Sequence, residues 1–284
     1  MSTPNATAPV PTSAPDAPPS ADARATRGTR RRAFLAILGR DLWVTFRREP
    51  VSFMAQALLQ PFFFLFIFGR VLPEIGAAQG NYGDLLLPGI MALTAITVSL
   101  QNVALPLVIE FSFTKEIEDR LLSPIPVWAV AVEKMLHAAL RGIVATALLV
   151  PLGALVLPNG LNFGDAQIIP LILVVLGGAL AGAALGLVMG TAVPPNRINI
   201  MFAIILTPLL FTGATFYPWA SLDSLPWFQV LTLFNPLTYV SEGARASIGA
   251  SEHLATWAIP VGIVGSIAVF GTIGLPGFQR RAVD

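Results

Sequence analysis

The chain has 284 residues, of which 55% are hydrophobic and 12% charged, with a formal net charge of +1 and a mean hydropathy of +0.72. Soluble domains carry about a quarter charged residues, so this composition excludes a freely dissolved globular enzyme and points to a chain solvated mainly by lipid. The lack of cysteine excludes a disulfide framework, thiolate catalysis and a cysteine-ligated metal, and His137 and His253 are too far apart in sequence to suggest a zinc or haem site.

Eight of the seventeen basic residues fall between Arg24 and Arg48. Residues 1–32 are dominated by Pro, Ala, Ser, Thr and Arg and cannot bury enough apolar surface to offset the entropy of ordering, so they read as a disordered cytoplasmic tail. Arg31-Arg32-Ala33-Phe34-Leu35 resembles a twin-arginine export signal, but its would-be apolar core holds Arg40, Asp41, Arg47 and Arg48, which argues against that reading. Over 33–49, Phe34, Leu35, Leu38, Leu42 and Phe46 recur at helical spacing while Arg40 and Arg47 share the other side. This pattern predicts an amphipathic helix along the inner leaflet, basic face on anionic headgroups; a soluble helix packed on a partner is the alternative.

Six apolar stretches follow, at about 51–71, 85–109, 127–157, 168–193, 198–217 and 254–278, within one membrane domain over 50–281. Each approaches the roughly 20 residues that cross a hydrocarbon core of about 30 Å. The third carries Glu133, Lys134, His137 and Arg141 in its first turns. Those turns belong in the interface, because a charge near the midplane costs about 2.5–3.5 kcal/mol. Gln56, Gln60, Gln101 and Asn102 either line a path or bond to neighbouring helices. Gly177, Gly178, Gly182, Gly186 and Gly190 predict close approach of another helix.

Between the last two stretches, 218–253 holds Trp219, Trp227, Phe228 and Phe234 but is broken by Pro226 and Pro236. It is too apolar for an ordinary loop and fits short helices dipping into the outer leaflet; a failed seventh span is the alternative. With both termini cytoplasmic, only Arg70 and Arg245 of the seventeen basic residues fall outside, which satisfies the positive-inside rule. The connection 110–126 is dense in charge, and its pairs Ile117/Leu121 and Glu116/Arg120 lie four apart. A short helix there has an apolar edge and a salt-bridged edge before Pro124 and Pro126 stop it. Such a knob can dock on a partner; a solvated turn is the alternative.

Leu121-Leu122-Ser123-Pro124, Phe216-Tyr217-Pro218, Leu225-Pro226-Trp227, Asn235-Pro236-Leu237-Thr238-Tyr239 and Arg245, in that order on a six-span plan, resemble the ABC-2 (type V) exporter permeases over about 33–281. Within them the sequence is similar to daunorubicin-type drug exporters and lipo-oligosaccharide exporters. The resemblance implies an all-α integral membrane fold with a surface connecting helix carrying Phe34, Leu38, Arg40, Leu42 and Arg47. It implies a cytoplasmic coupling helix of Lys115, Glu116, Ile117, Glu118, Asp119, Arg120 and Leu121, and external re-entrant helices at Leu222–Val230 and Leu237–Ile248. It further implies a homodimer joined by two separate ATPase subunits, exporting an amphipathic drug, antibiotic, lipid or glycolipid across a bacterial cytoplasmic membrane. Many relatives carry a Glu-Arg-Gly-Thr type step where this chain has Glu118-Asp119-Arg120-Leu121, which leaves the docking register open.

A P-loop needs a lysine followed by Ser or Thr, whereas Lys115 and Lys134 precede Glu and Met. ATP and magnesium are therefore expected on the partner, with no catalytic, cofactor-binding or metal residue on this chain, membrane lipids as neighbours and no nucleic acid. Two other classes fit less well. An ion-coupled carrier usually holds ionisable groups at midplane depth, where these spans have none. A lipid transferase would want clustered carboxylates, but Glu116, Glu118 and Asp119 are interleaved with bases.

Overall fold

In hydrocarbon, backbone polar groups must be paired inside the chain, which for apolar segments of about 20 residues means helices. The computed structural model describes residues 27–48, 50–78, 82–114, 125–157, 166–249 and 253–283, and no strand occurs among them. Helix α1 is Arg27–Trp43, prolonged by a π turn at Val44–Arg48; α2 is Pro50–Phe66, prolonged through Ile67–Val71 to Glu74. Then come α3 (Tyr82–Ile109, followed by a π turn at Glu110–Thr114), α4 (Val127–Val156), α5 (Ile168–Ala192) and α6 (Ile198–Thr212). Two short helices, α7 (Pro226–Thr232) and α8 (Pro236–Ile248), precede α9 (Ala258–Val283). The six helices long and apolar enough to cross a membrane are α2, α3, α4, α5, α6 and α9.

These match the six apolar stretches, with shifted ends. The fifth stops at Thr212 rather than near 217, because the chain turns at Gly213 and Ala214 takes the left-handed φ of 51°. The sixth begins at Ala258 rather than 254. Helix α1 starts at Arg27, earlier than the expected 33, so 27–32 belong to the helix rather than to the tail. Packing of Ala33, Phe34 and Ile37 on the core anchors that first half of α1.

Helix α3 is the centre of the bundle, with 67% of its apolar stretch buried against 22% for α2, 17% for α9 and 11% for α6. It packs on α5, α4 and α8, while α9 lies on the far side of α5. Close contact of α3 and α5 requires glycine: a Cβ on Gly182 would strike the Ile96 backbone, and one on Gly186 the Leu100 backbone. Gly178 and Gly177 meet Val240 of α8 and Ile263 of α9 instead, so the small residues of α5 serve three neighbours.

Helix α8 starts where Asn235 Oδ1 accepts from the Leu237 amide at 2.9 Å with Pro236 in the first turn, and it ends at Gly249 with a φ of 88°. Its 13 residues rise about 20 Å, short of a bilayer. It lies between α3, α5 and α9 as a re-entrant element, not as a seventh span.

Candidate functional site

The expected coupling residues Lys115, Glu116, Ile117, Glu118, Asp119, Arg120 and Leu121 lie outside the described residues, but both roots of their segment are placed. Upstream, the Phe111 ring meets Phe278 edge-on at 5.5 Å, and the Arg281 guanidinium sits 5.1 Å over Phe111. Arg281 Nη1 donates to the carbonyls of Gly190, Thr191 and Val193 at 3.2, 3.0 and 3.2 Å, and Nη2 reaches Ser112 Oγ at 3.4 Å. A cation thus caps the negative end of α5 and fastens the end of α9 to the turn after α3. Downstream, buried Ile125 joins the same apolar cluster as Leu107, Leu187 and Phe278, on which Phe34 and Ile37 of α1 also pack.

Along α1, Phe34, Leu38 and Leu42 are half-buried while Arg40 and Arg47 are exposed, Arg47 lying 5.0 Å over the Trp43 ring. Leu35, expected on the apolar side, is exposed. Behind the π turn lies a polar cavity of about 360 Å³ bounded by Arg40, Asp41, Thr45, Asn102, Glu110, Lys134, His137 and Arg141. Lys134 Nζ stands 2.6 Å from the Glu110 carboxylate, with both side chains buried. Thr45 Oγ1 and His137 Nε2 are 3.2 Å apart, and the Arg141 guanidinium lies 5.1 Å over the Phe53 ring. Lys134, His137 and Arg141 in the first turns of α4 therefore form one wall of a half-open polar chamber that α1 borders.

The four candidate path residues do not converge. Gln56 and Gln60 are exposed on α2, and Gln101 is exposed on α3. Asn102 is half-buried, donates to the Val98 carbonyl of its own helix at 2.7 Å, and belongs to the polar chamber. Helix α2 also exposes Leu59 and Phe63, and α6 exposes Ile200, Ile204 and Phe211.

A second network sits at the other end of α3. Arg245, expected in the outer loop region, is only 2% exposed: α8 turns it inward onto Glu242. Glu242 Oε1 accepts from Arg245 Nη1 at 2.6 Å and from the Trp219 amide at 3.0 Å, and Oε2 accepts from the Leu254 amide at 2.8 Å. Arg245 Nη2 donates to the Thr215 carbonyl at 3.1 Å, and that residue's backbone lies where Gly89 of α3 leaves no room for a Cβ. Burial pulls Arg245 below the ordinary guanidinium value while Glu242 opposes the shift; burial also raises the Tyr217 phenol. Glu242 was not singled out from sequence. Its signal was available as Glu-x-x-Arg, three apart on a helix that starts at Asn-Pro.

The profile of the ABC-2 type transporter family matches residues 32–248, from α1 to the end of α8. The inner membrane transport permease YadH of Escherichia coli (strain K12) is 24% identical over 212 residues, covering 72% of this chain and 80% of that protein. The putative transport permease ycf38 of Cyanophora paradoxa is 26% identical over 239 residues, covering 78% and 76%.

Proposed function

The chain belongs to the ABC-2 type transporter family as a multi-pass membrane permease subunit, and from that premise we propose that it is the membrane half of an ATP-driven exporter of amphipathic compounds. The observation that carries this reading is the apolar cluster shared by α1, both roots of the 115–124 segment and the end of α9. A push on that segment from an ATPase subunit reaches three elements at once, because packed interiors transmit displacement rather than absorb it. ATP and magnesium belong to the partner chain, and this chain carries out no chemistry of its own.

Two copies join through the faces of α2 and α6, which leave large apolar side chains uncovered, with Gln56 and Gln60 of α2 among them as sparse polar contacts along the path. Such a lining suits a drug, an antibiotic or a lipid better than a hydrophilic solute. Both termini face the cytoplasm of a bacterial cell, on the positive-inside count.

The deciding experiment is co-purification with the ATPase subunit. Charge reversal in Glu116→Lys/Arg120→Glu is expected to abolish the complex while leaving membrane insertion intact; an undiminished complex would remove the docking role of 115–122. For orientation the cysteine-free sequence is a ready background. Ile75→Cys, at a residue 70% exposed, is expected to react with an impermeant thiol reagent in intact cells. Reaction only after lysis inverts the topology.

A further inference from the structure

The flank formed by α5, α8 and α9 carries a furrow of about 560 Å³, inside the range of roughly 300–1,000 Å³ typical of small-ligand pockets. Leu173, Leu176 and Leu180 of α5 face Ile263, Val264 and Ile267 of α9 across it. Its polar side chains gather at one end, where Gln167 precedes α5, Ser247 lies in the last turn of α8, and His253 and Thr256 precede α9. There His253 Nδ1 lies 2.7 Å from the Leu254 carbonyl oxygen, which commits that nitrogen as a donor and fixes the ring.

The dimensions are those of one leaflet. From Gln167 to Leu180 the helix rises about 20 Å, against about 15 Å for half a hydrocarbon core plus part of the headgroup layer. Leu180 is midway along α5. From the same Leu180 and Ile267 a second apolar furrow of about 510 Å³ runs on to Pro276. Two slots meeting near the middle of the spans, the first ending in polar groups, reproduce the layout of lipid tails from opposed leaflets.

Leu173 and Val264 are 60% and 63% exposed, so something apolar must stand against them. Helix α9 lies on α5 and α5 on α3, which turns the furrow away from the α2 and α6 faces. Resting on the dimer face proposed above, a second copy is thus placed elsewhere. We infer that the furrow binds an acyl chain of a glycerophospholipid, with its ester and phosphate region at the Gln167 and His253 end.

The test uses the full chain. A photoreactive benzoylphenylalanine at Val264, irradiated in isolated membranes, is expected to give an adduct with the added mass of a phospholipid. The same group at Val269, exposed on α9 but outside both furrows, is expected to give far less. Phospholipid adduct at Val264 no greater than at Val269 overturns the inference and leaves the dimer face standing. A chain-to-chain adduct at Val264 overturns both. Independently, native mass spectrometry of the chain released from phosphatidylglycerol nanodiscs is expected to find a retained lipid that Val264→Trp, which fills the furrow, loses and Val269→Trp keeps. Equal retention by all three proteins refutes the site.

Discussion

Of the buried ion pairs among the described residues, Glu110–Lys134 and Glu242–Arg245 lie at opposite ends of α3 and are built differently. Glu242 and Arg245 are enclosed by backbone: two amides from Trp219 and Leu254 complete the carboxylate, and the Thr215 carbonyl takes a guanidinium N–H. That pair ties the end of the fifth span, the re-entrant helices and the start of the sixth into one unit. Glu110 and Lys134 instead face a chamber of about 360 Å³ that also holds Asp41, His137 and Arg141. The Glu242 carboxylate, with three donors on it, has one favourable arrangement, whereas charges around a polar chamber can exchange partners or take up water. The Glu242 end of α3 is therefore the fixed frame, and the Glu110 end, beside the proposed coupling segment, is the one able to rearrange.

The largest effect should come from the frame. Glu242→Ala strands a buried guanidinium and two amides, and breaking a buried pair in this way costs about 3–5 kcal/mol. The thermal midpoint of the detergent-purified protein should fall steeply, with loss of folded yield. Lys134→Met removes one partner at the other end, but the Glu110 carboxylate opens on the chamber, so the expected loss is about 1–3 kcal/mol. If Lys134→Met proves as damaging as Glu242→Ala, the two ends are equally rigid and the contrast fails. Asn235→Ala tests a lesser part of the frame. It removes the cap of α8 and the hydrogen bond that Asn235 Nδ2 donates to the Leu209 carbonyl at 2.9 Å, and cap loss costs about 1 kcal/mol.

The contrast also explains what the sequence made legible. The six spans follow from length and hydropathy, and the re-entrant helices from Trp and Pro placement in 218–253. The inward turn of Arg245 was not legible, because the positive-inside rule counts charges by segment and says nothing of a side chain folding back into the bundle. Glu110 and Lys134 are 24 residues apart, and their pairing depends on how α3 crosses α4, a register that no local pattern encodes. The same holds for the furrow of α5 and α9, whose residues read only as lipid-facing aliphatics until the two helices are set side by side. By contrast the glycines of α5 announced close packing correctly, since four-residue spacing of small residues is a local property.

Thr45→Val is the smallest change and separates stability from coupling. Thr45 is buried in the π turn after α1 and reaches His137 of α4 across the polar chamber. Hydrogen bonds between membrane helices are worth about 0.6 kcal/mol on average, so the thermal midpoint should barely move. The contact nonetheless joins α1 to the helix that follows the proposed coupling segment. In the reconstituted complex with its ATPase, the ratio of ATP hydrolysis with and without a transported compound should fall while ATP affinity stays constant. An unchanged ratio would mean that α1 follows the coupling segment only through Phe34 and Ile37 in the apolar cluster, and that the chamber's capacity to rearrange is not used in transport.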